Sequence, residues 1–291
     1  MPTLLPTDRA IRVYRRTVLA AAPALALGGC GRAEETLHRA DGLSVPAIFD
    51  GPRTPGAPVA VFSHGLGATG AALLWLAQPL AARGFLCVLP THRESSGGAL
   101  RDAWRHAGAG GGFRAAVADK VSDPALEAAR SADIAASLAA ADPARGAPFR
   151  LLIGHSMGAA ATMIEAGALT RFGRIGHDAF DAYVAISPEG PGSLFPPGAW
   201  AAIRKPVLII TGTRDGGTEG DWAWRASPFY SLPPGEKRLA VIPLAGHLQL
   251  GGLGVAPVRR TVIALTTEFA GQARSHVFTH SEVAGADIRE K

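Results

Sequence analysis

Cysteine is nearly missing from this chain: 291 residues hold two, Cys30 and Cys87. A small fold stapled by several disulfides is therefore excluded, and no Cys and His spacing suits a structural zinc site. Cys87 lies inside the apolar run Phe85-Leu86-Cys87-Val88-Leu89, where a thiol acts as a small core residue rather than a nucleophile. Charge is also sparse, at 18% charged against 47% hydrophobic residues, which is the balance of a packed core and not of a disordered segment. The formal charge of +5 is concentrated early: residues 1–29 hold four Arg against one Asp, and the remainder carries only +2. Without a basic run of five or more, nucleic-acid binding is not expected. Gly 36 and Pro 22, about a fifth of the chain, show no repeat, so collagen-like and low-complexity classes drop out while turns stay plentiful.

What is present begins with an address. Arg9, Arg12, Arg15 and Arg16 precede an Ala- and Leu-rich run from Val18 to Gly29, the basic-then-apolar order of a secretory signal. That run falls short of the roughly twenty residues that cross a bilayer, so cleavage is expected. Arg15-Arg16-Thr17-Val18-Leu19 resembles a twin-arginine export signal, although Tyr14 replaces the usual Ser or Thr, and Leu27-Gly28-Gly29-Cys30 resembles a bacterial lipobox. The resemblance implies acylation of Cys30, membrane association through it, and residence in the bacterial cell envelope. The chain is then expected to divide into an export signal (1–29), the lipid-attachment Cys and a short linker (30–35), one folded domain (36–270) and a loose tail (271–291).

Within the domain, strands and helices alternate. Asp41-Gly42 between Leu37 to Arg39 and Val45 to Phe49 predicts a hairpin. Strands are predicted at Val59 to Phe62, Phe85 to Leu89, Phe149 to Ile153, Tyr183 to Ile186, Val207 to Ile210 and Leu239 to Ile242; helices are predicted at Ala71 to Arg83, Pro124 to Ala141, Ala159 to Thr170 and Val255 to Phe269. Asp123 with Pro124 behind it opens the second helix. Several strand runs are apolar without alternation, as in a parallel sheet covered on both faces, so the fold class is α/β, a three-layer α/β/α sandwich with a mostly parallel sheet. Residues 95–123, with Gly97-Gly98 and the glycines up to Gly112, read as a mobile loop near a pocket mouth.

The chemistry concentrates at strand ends. Gly154-His155-Ser156-Met157-Gly158 joins a buried strand to an Ala-rich helix, the context of a nucleophile elbow whose glycines permit close backbone approach. A serine hydroxyl needs a base to accept its proton. His247, just past the last central strand, sits at the same sheet edge, whereas His276 and His280 fall in the tail. Asp215, after the Val207 to Ile210 strand, is the acid that holds the base, with Glu189 as rival and Asp221 and Asp181 less well placed. The oxyanion of a tetrahedral intermediate needs preorganised N–H donors; Met157 N–H follows the nucleophile, and Leu66 in Ser63-His64-Gly65-Leu66-Gly67 offers the second. His64 is read as a brace of that loop.

The order Ser156, Asp215, His247 is similar to that of the α/β-hydrolase superfamily. Phe62-Ser63-His64-Gly65-Leu66-Gly67, Thr91-His92-Arg93 and Gly154 to Ala160 resemble its platelet-activating factor acetylhydrolase and dienelactone-hydrolase-like branch. The resemblance implies a serine esterase needing neither metal nor organic cofactor, with the Leu66 and Met157 amides as the oxyanion hole. Ser at 156, where a dienelactone hydrolase carries Cys, disfavours that particular activity. The expected substrate is a small or lipid-derived carboxylic ester with a short or medium acyl chain. Amide or thioester hydrolysis, acyl transfer, and a non-catalytic surface lipoprotein stay open as alternatives.

Overall fold

A computed structural model describes residues 31–106, 112–254 and 256–291. The export signal and Cys30 lie outside the described residues. Among those residues nine strands form one sheet: β1 (Ala33–His38), β2 (Ser44–Asp50), β3 (Val59–Ser63), β4 (Leu86–Pro90), β5 (Arg150–His155), β6 (Ala182–Ile186), β7 (Val207–Arg214), β8 (Lys237–Gly246) and β9 (Asp287–Glu290). Their spatial order is β1-β2-β4-β3-β5-β6-β7-β8-β9. Neighbours from β4 to β8 are parallel, while β1, β2 and β9 join antiparallel. The predicted hairpin is in place, with Gly42 at φ 82° in its turn.

The apolar strands supply two faces with period two. Val59, Val61, Leu152, Tyr183, Ala185 and Ile209 pack beneath α4 (Pro124–Ala141), α5 (Met157–Glu165) and α6 (Trp222–Ser231). Ala60, Phe62, Ile153, Val184 and Ile210 pack against α1 (Leu74–Ala81) and α8 (Ala256–Ser275) on the other side. Each large side chain so buried contributes about 1.5–3 kcal/mol, and this two-sided burial is why the central runs lack polar alternation. Cys87 is part of the second face, its thiol directed at Ala77 O 3.5 Å away. Asp123 caps α4 by accepting from Ala125 N–H at 2.9 Å.

Several expectations are corrected. Residues 95–123 are not a plain loop: they hold α2 (Gly97–His106) and α3 (Phe113–Val121). Gly97 and Gly98 open α2 and Gly112 occupies the cap of α3, positions where glycine costs a helix little. The Ala-rich stretch behind Gly112 is intrinsically helix-forming, and Val121 buries its side chain. Residues 271–291 are not a loose tail either. Helix α8 runs on to Ser275, and β9 lies antiparallel on β8 with Ile288 opposite Ala240. An edge strand needs mainly backbone partners, and here Arg238 also donates to Glu290 (2.7 Å) and Glu268 (3.1 Å). The helix predicted to Thr170 ends earlier, at Glu165, and the one predicted from Ala71 begins as a 3-10 turn, Gly70–Leu73.

Candidate active site

The carboxyl ends of β5, β7 and β8 bring three separated side chains together. Ser156, between β5 and α5, has φ 57° and ψ −124°, a strained conformation for a residue with a side chain, worth about 1–3 kcal/mol. Close packing enforces it. A Cβ on Gly154 would stand 2.0 Å from Gly158 O, and one on Gly158 would stand 1.9 Å from Ser63 O. His247 opens the short helix α7 (His247–Leu250) directly after β8. Its Nε2 lies 2.9 Å from Ser156 Oγ and its Nδ1 lies 2.9 Å from Asp215 Oδ1. Asp215 Oδ2 accepts from Thr211 Oγ1 at 2.9 Å. Burial pushes the Asp215 carboxyl up, but the His247 hydrogen bond and the charges of Arg225 and His247 outweigh it and hold the group below the ordinary carboxylate value.

His155, the second residue of the Gly154–Gly158 turn, supports His247 from behind. Its ring is tilted against that of His247 with centroids 4.9 Å apart, and its Nε2–H donates to His247 O at 3.1 Å. Burial and the neighbouring His247 push it down to about 3, so the ring is neutral and able to donate from one nitrogen only.

Glu189 stands beside the site, not in it: Asp215 and no other carboxylate meets His247 among the described residues. The Asp215 loop depends on a residue that carries no signal in the sequence. Arg225, buried on α6, places Nε 3.1 Å from Asp215 Oδ1 and Nη1 3.5 Å from Glu189 Oε1. The same Nη1 donates to Ser187 O (2.8 Å) and Pro188 O (3.1 Å). One guanidinium thus ties the loop after β6 to the loop after β7, which a planar five-donor fork does well.

Met157 directly follows Ser156, and Leu66 belongs to the loop after β3. Met157 is the first residue of α5, where a helix leaves its N–H groups unpaired. The Leu66 loop packs directly on Ser156, since a Cβ on Gly65 would lie 3.2 Å from Ser156 Cβ. Gly67 N–H donates to Ser95 O at 2.8 Å, so the segment leading into α2 sits over this loop. Among the described residues no group of three or more His, Cys, Asp or Glu is placed to hold a metal ion.

Behind that loop lies a charged stripe on α4. Glu127, Arg130, Asp133 and Ser137 all face inward. Both carboxyl oxygens of Glu127 are buried without a hydrogen-bond partner, and burial pushes its carboxyl up to about 8 against the nearby Arg130 charge. The folded chain therefore holds a proton that the unfolded chain has already lost, and stability falls as pH rises from the ordinary glutamate value toward 8. The slope is about 1.4 kcal/mol per pH unit. Glu127→Gln removes it: urea unfolding of both proteins between pH 5 and 8 gives a wild-type curve that declines relative to the variant, and parallel curves would refute the buried proton.

No protein-family model and no curated protein sequence matches the chain. Solved structures do. An esterase of Pyrococcus furiosus superposes with a TM-score of 0.56 at 15% identity, covering 83% of this chain and 94% of its own. A dienelactone hydrolase of Anabaena variabilis gives 0.58 at 17%, covering 86% and 99%. Likeness at this identity defines the architecture: the chain has the α/β-hydrolase fold.

Proposed function

We propose that the protein is a serine hydrolase that cleaves carboxylic esters through an acyl-serine intermediate. The observation that carries this is the continuous line Ser156 Oγ, His247 Nε2, His247 Nδ1, Asp215 Oδ1, two 2.9 Å contacts long, standing on a strained strand-to-helix turn. His247 accepts the hydroxyl proton as Ser156 Oγ attacks the ester carbonyl. Asp215 balances the imidazolium, and the Leu66 and Met157 N–H groups receive the oxyanion. His247 then returns the proton to the departing alkoxide. Water, deprotonated by His247, attacks the acyl carbonyl, and as the intermediate collapses His247 returns the proton to the departing Ser156 Oγ, releasing the acid. The solved structures of like fold are those of an esterase and a dienelactone hydrolase, and a serine nucleophile favours the first kind of chemistry.

A fluorophosphonate reacts preferentially with an activated serine. Incubating the folded protein with such a probe and mapping the adduct by mass spectrometry gives phosphonylation at Ser156 alone, together with turnover of p-nitrophenyl esters. A folded protein that takes up no probe and hydrolyses no ester would favour a binding module on this fold.

A further inference from the structure

The molecule contains a second Ser, His, Asp line. Ser63 Oγ lies 2.9 Å from His92 Nε2, and His92 Nδ1 lies 2.8 Å from Asp133 Oδ2. No substrate reaches it: all three side chains are buried, and Arg130 Nη1 already donates to Ser63 Oγ at 3.2 Å. We propose that this array is a positioning device for the Leu66 oxyanion donor, acting through His64; the proposal rests on the hydrolase reading of Ser156 given above.

The direction of each hydrogen bond fixes how the Leu66 peptide is turned. The array fixes the His92 ring and with it the backbone of residue 92, whose N–H donates to His64 Nε2 at 2.9 Å. A backbone N–H can only donate, so His64 Nε2 is an acceptor. Burial and the Arg130 charge push the His64 imidazole down to about 3, leaving it neutral with its one proton on Nδ1. Nδ1–H therefore donates to Gly65 O, 2.8 Å away. That carbonyl shares a peptide unit with Leu66 N–H. In a trans peptide the two bonds point in opposite directions, and no described peptide is cis. Anchoring Gly65 O on His64 thus turns Leu66 N–H away from His64.

Two further bonds make the anchor stiff. Ala68 N–H also donates to Gly65 O at 3.2 Å, and Arg130 Nη1 holds the preceding carbonyl, His64 O, at 2.6 Å. A flip of the Gly65-Leu66 peptide would break both bonds to Gly65 O. A change of His64 tautomer would set two N–H groups against each other at residue 92 and a lone pair against Gly65 O. The buried array accordingly supplies the preorganisation on which an oxyanion donor depends, while His64 and His92 touch no reacting atom.

The test combines a measurement independent of turnover with one that depends on it. Nitrogen-15 NMR of the histidine rings in the wild type reports the His64 tautomer; Nδ1–H across neutral pH is expected. Steady-state kinetics with a p-nitrophenyl ester and inhibition by a trifluoromethyl ketone, which forms a tetrahedral oxyanion on serine, are then compared for wild type, His64→Ala and His64→Asn. His64→Ala is expected to lose about 10²-fold in kcat, the usual scale for one oxyanion donor, with KM unchanged and ketone affinity reduced in proportion. His64→Asn, whose amide N–H stands where Nδ1 stood, should recover most of both. An Nε2–H tautomer in an active wild type, or a folded His64→Ala with undiminished kcat and ketone affinity, overturns the positioning role alone. An Nδ1–H tautomer in a wild type inert toward both ester and ketone overturns the hydrolase reading, and with it any purpose in presenting Leu66, while leaving the loop geometry intact. Should His64→Ala fail to fold, the wild-type tautomer and His64→Asn still decide the matter.

Discussion

Asp215→Asn lowers ester turnover by about 10⁴-fold, the scale of losing the acid of such a triad, while the chain stays folded. The amide fits the carboxylate's place with little rearrangement. Its oxygen can occupy the Oδ1 position, facing His247 Nδ1–H and Arg225 Nε, and its NH2 can face Thr211 Oγ1, which rotates its hydroxyl to accept. The His247 tautomer is then preserved, and what disappears is the negative charge. When His247 takes the Ser156 proton, the resulting imidazolium confronts the Arg225 guanidinium across a neutral amide instead of a carboxylate. The like charges are no longer separated by an anion, in a place too buried for water to screen them. The loss belongs to the transition state and so falls on kcat, with KM unchanged. Steady-state kinetics and thermal melting of the two proteins check this. A variant of wild-type kcat would mean that Asp215 only shapes its loop, and a loss confined to KM would mean that it acts on binding.

That arrangement also separates what the sequence discloses from what it hides. Ser156, Asp215 and His247 are legible because each directly follows an apolar strand run, and parallel strands with helical returns deliver all such ends to one edge. Arg225 is hidden because its partners are mostly backbone carbonyls, at Ser187 and Pro188, which leave no mark in residue types. The stripe Glu127, Arg130, Asp133 is hidden for the opposite reason. Charges at helical spacing ordinarily describe a solvated face, and only the fold shows that Ser63, His64 and His92 stand opposite them. Helices α2 and α3 were masked by glycines that sit at their ends. The strand β9 was masked by its composition, since Asp287–Glu290 holds one large apolar residue, Ile288, and relies on backbone pairing with β8.

Gly158→Ala is expected to destabilise the fold by about 3 kcal/mol or more, at the upper end of overpacking effects, and to depress catalysis beyond the loss of folded protein. The added methyl would meet Ser63 O at 1.9 Å, Ser63 C at 2.5 Å and His64 O at 2.9 Å. All three are backbone atoms, so no rotamer change relieves the clash; α5 and the end of β3 must move apart. Both elements serve the site. Helix α5 begins with Met157 directly behind its cap residue Ser156, while the Ser63-His64 segment leads into the Leu66 loop and is clamped by Arg130 on His64 O. Separating them therefore widens the gap between the two N–H donors that the proposed mechanism requires to converge on one oxygen. Melting temperature should drop by roughly 10 °C on the scale for a domain of this size, and kcat per folded molecule should fall as well. Gly146→Ala is the control, because a methyl there has no neighbour within 4 Å; it should change stability by less than about 0.5 kcal/mol, as surface substitutions do, and leave turnover unaltered. If Gly158→Ala melted and reacted like the control, the close contact of α5 with β3 would not be what holds the elbow in its strained conformation.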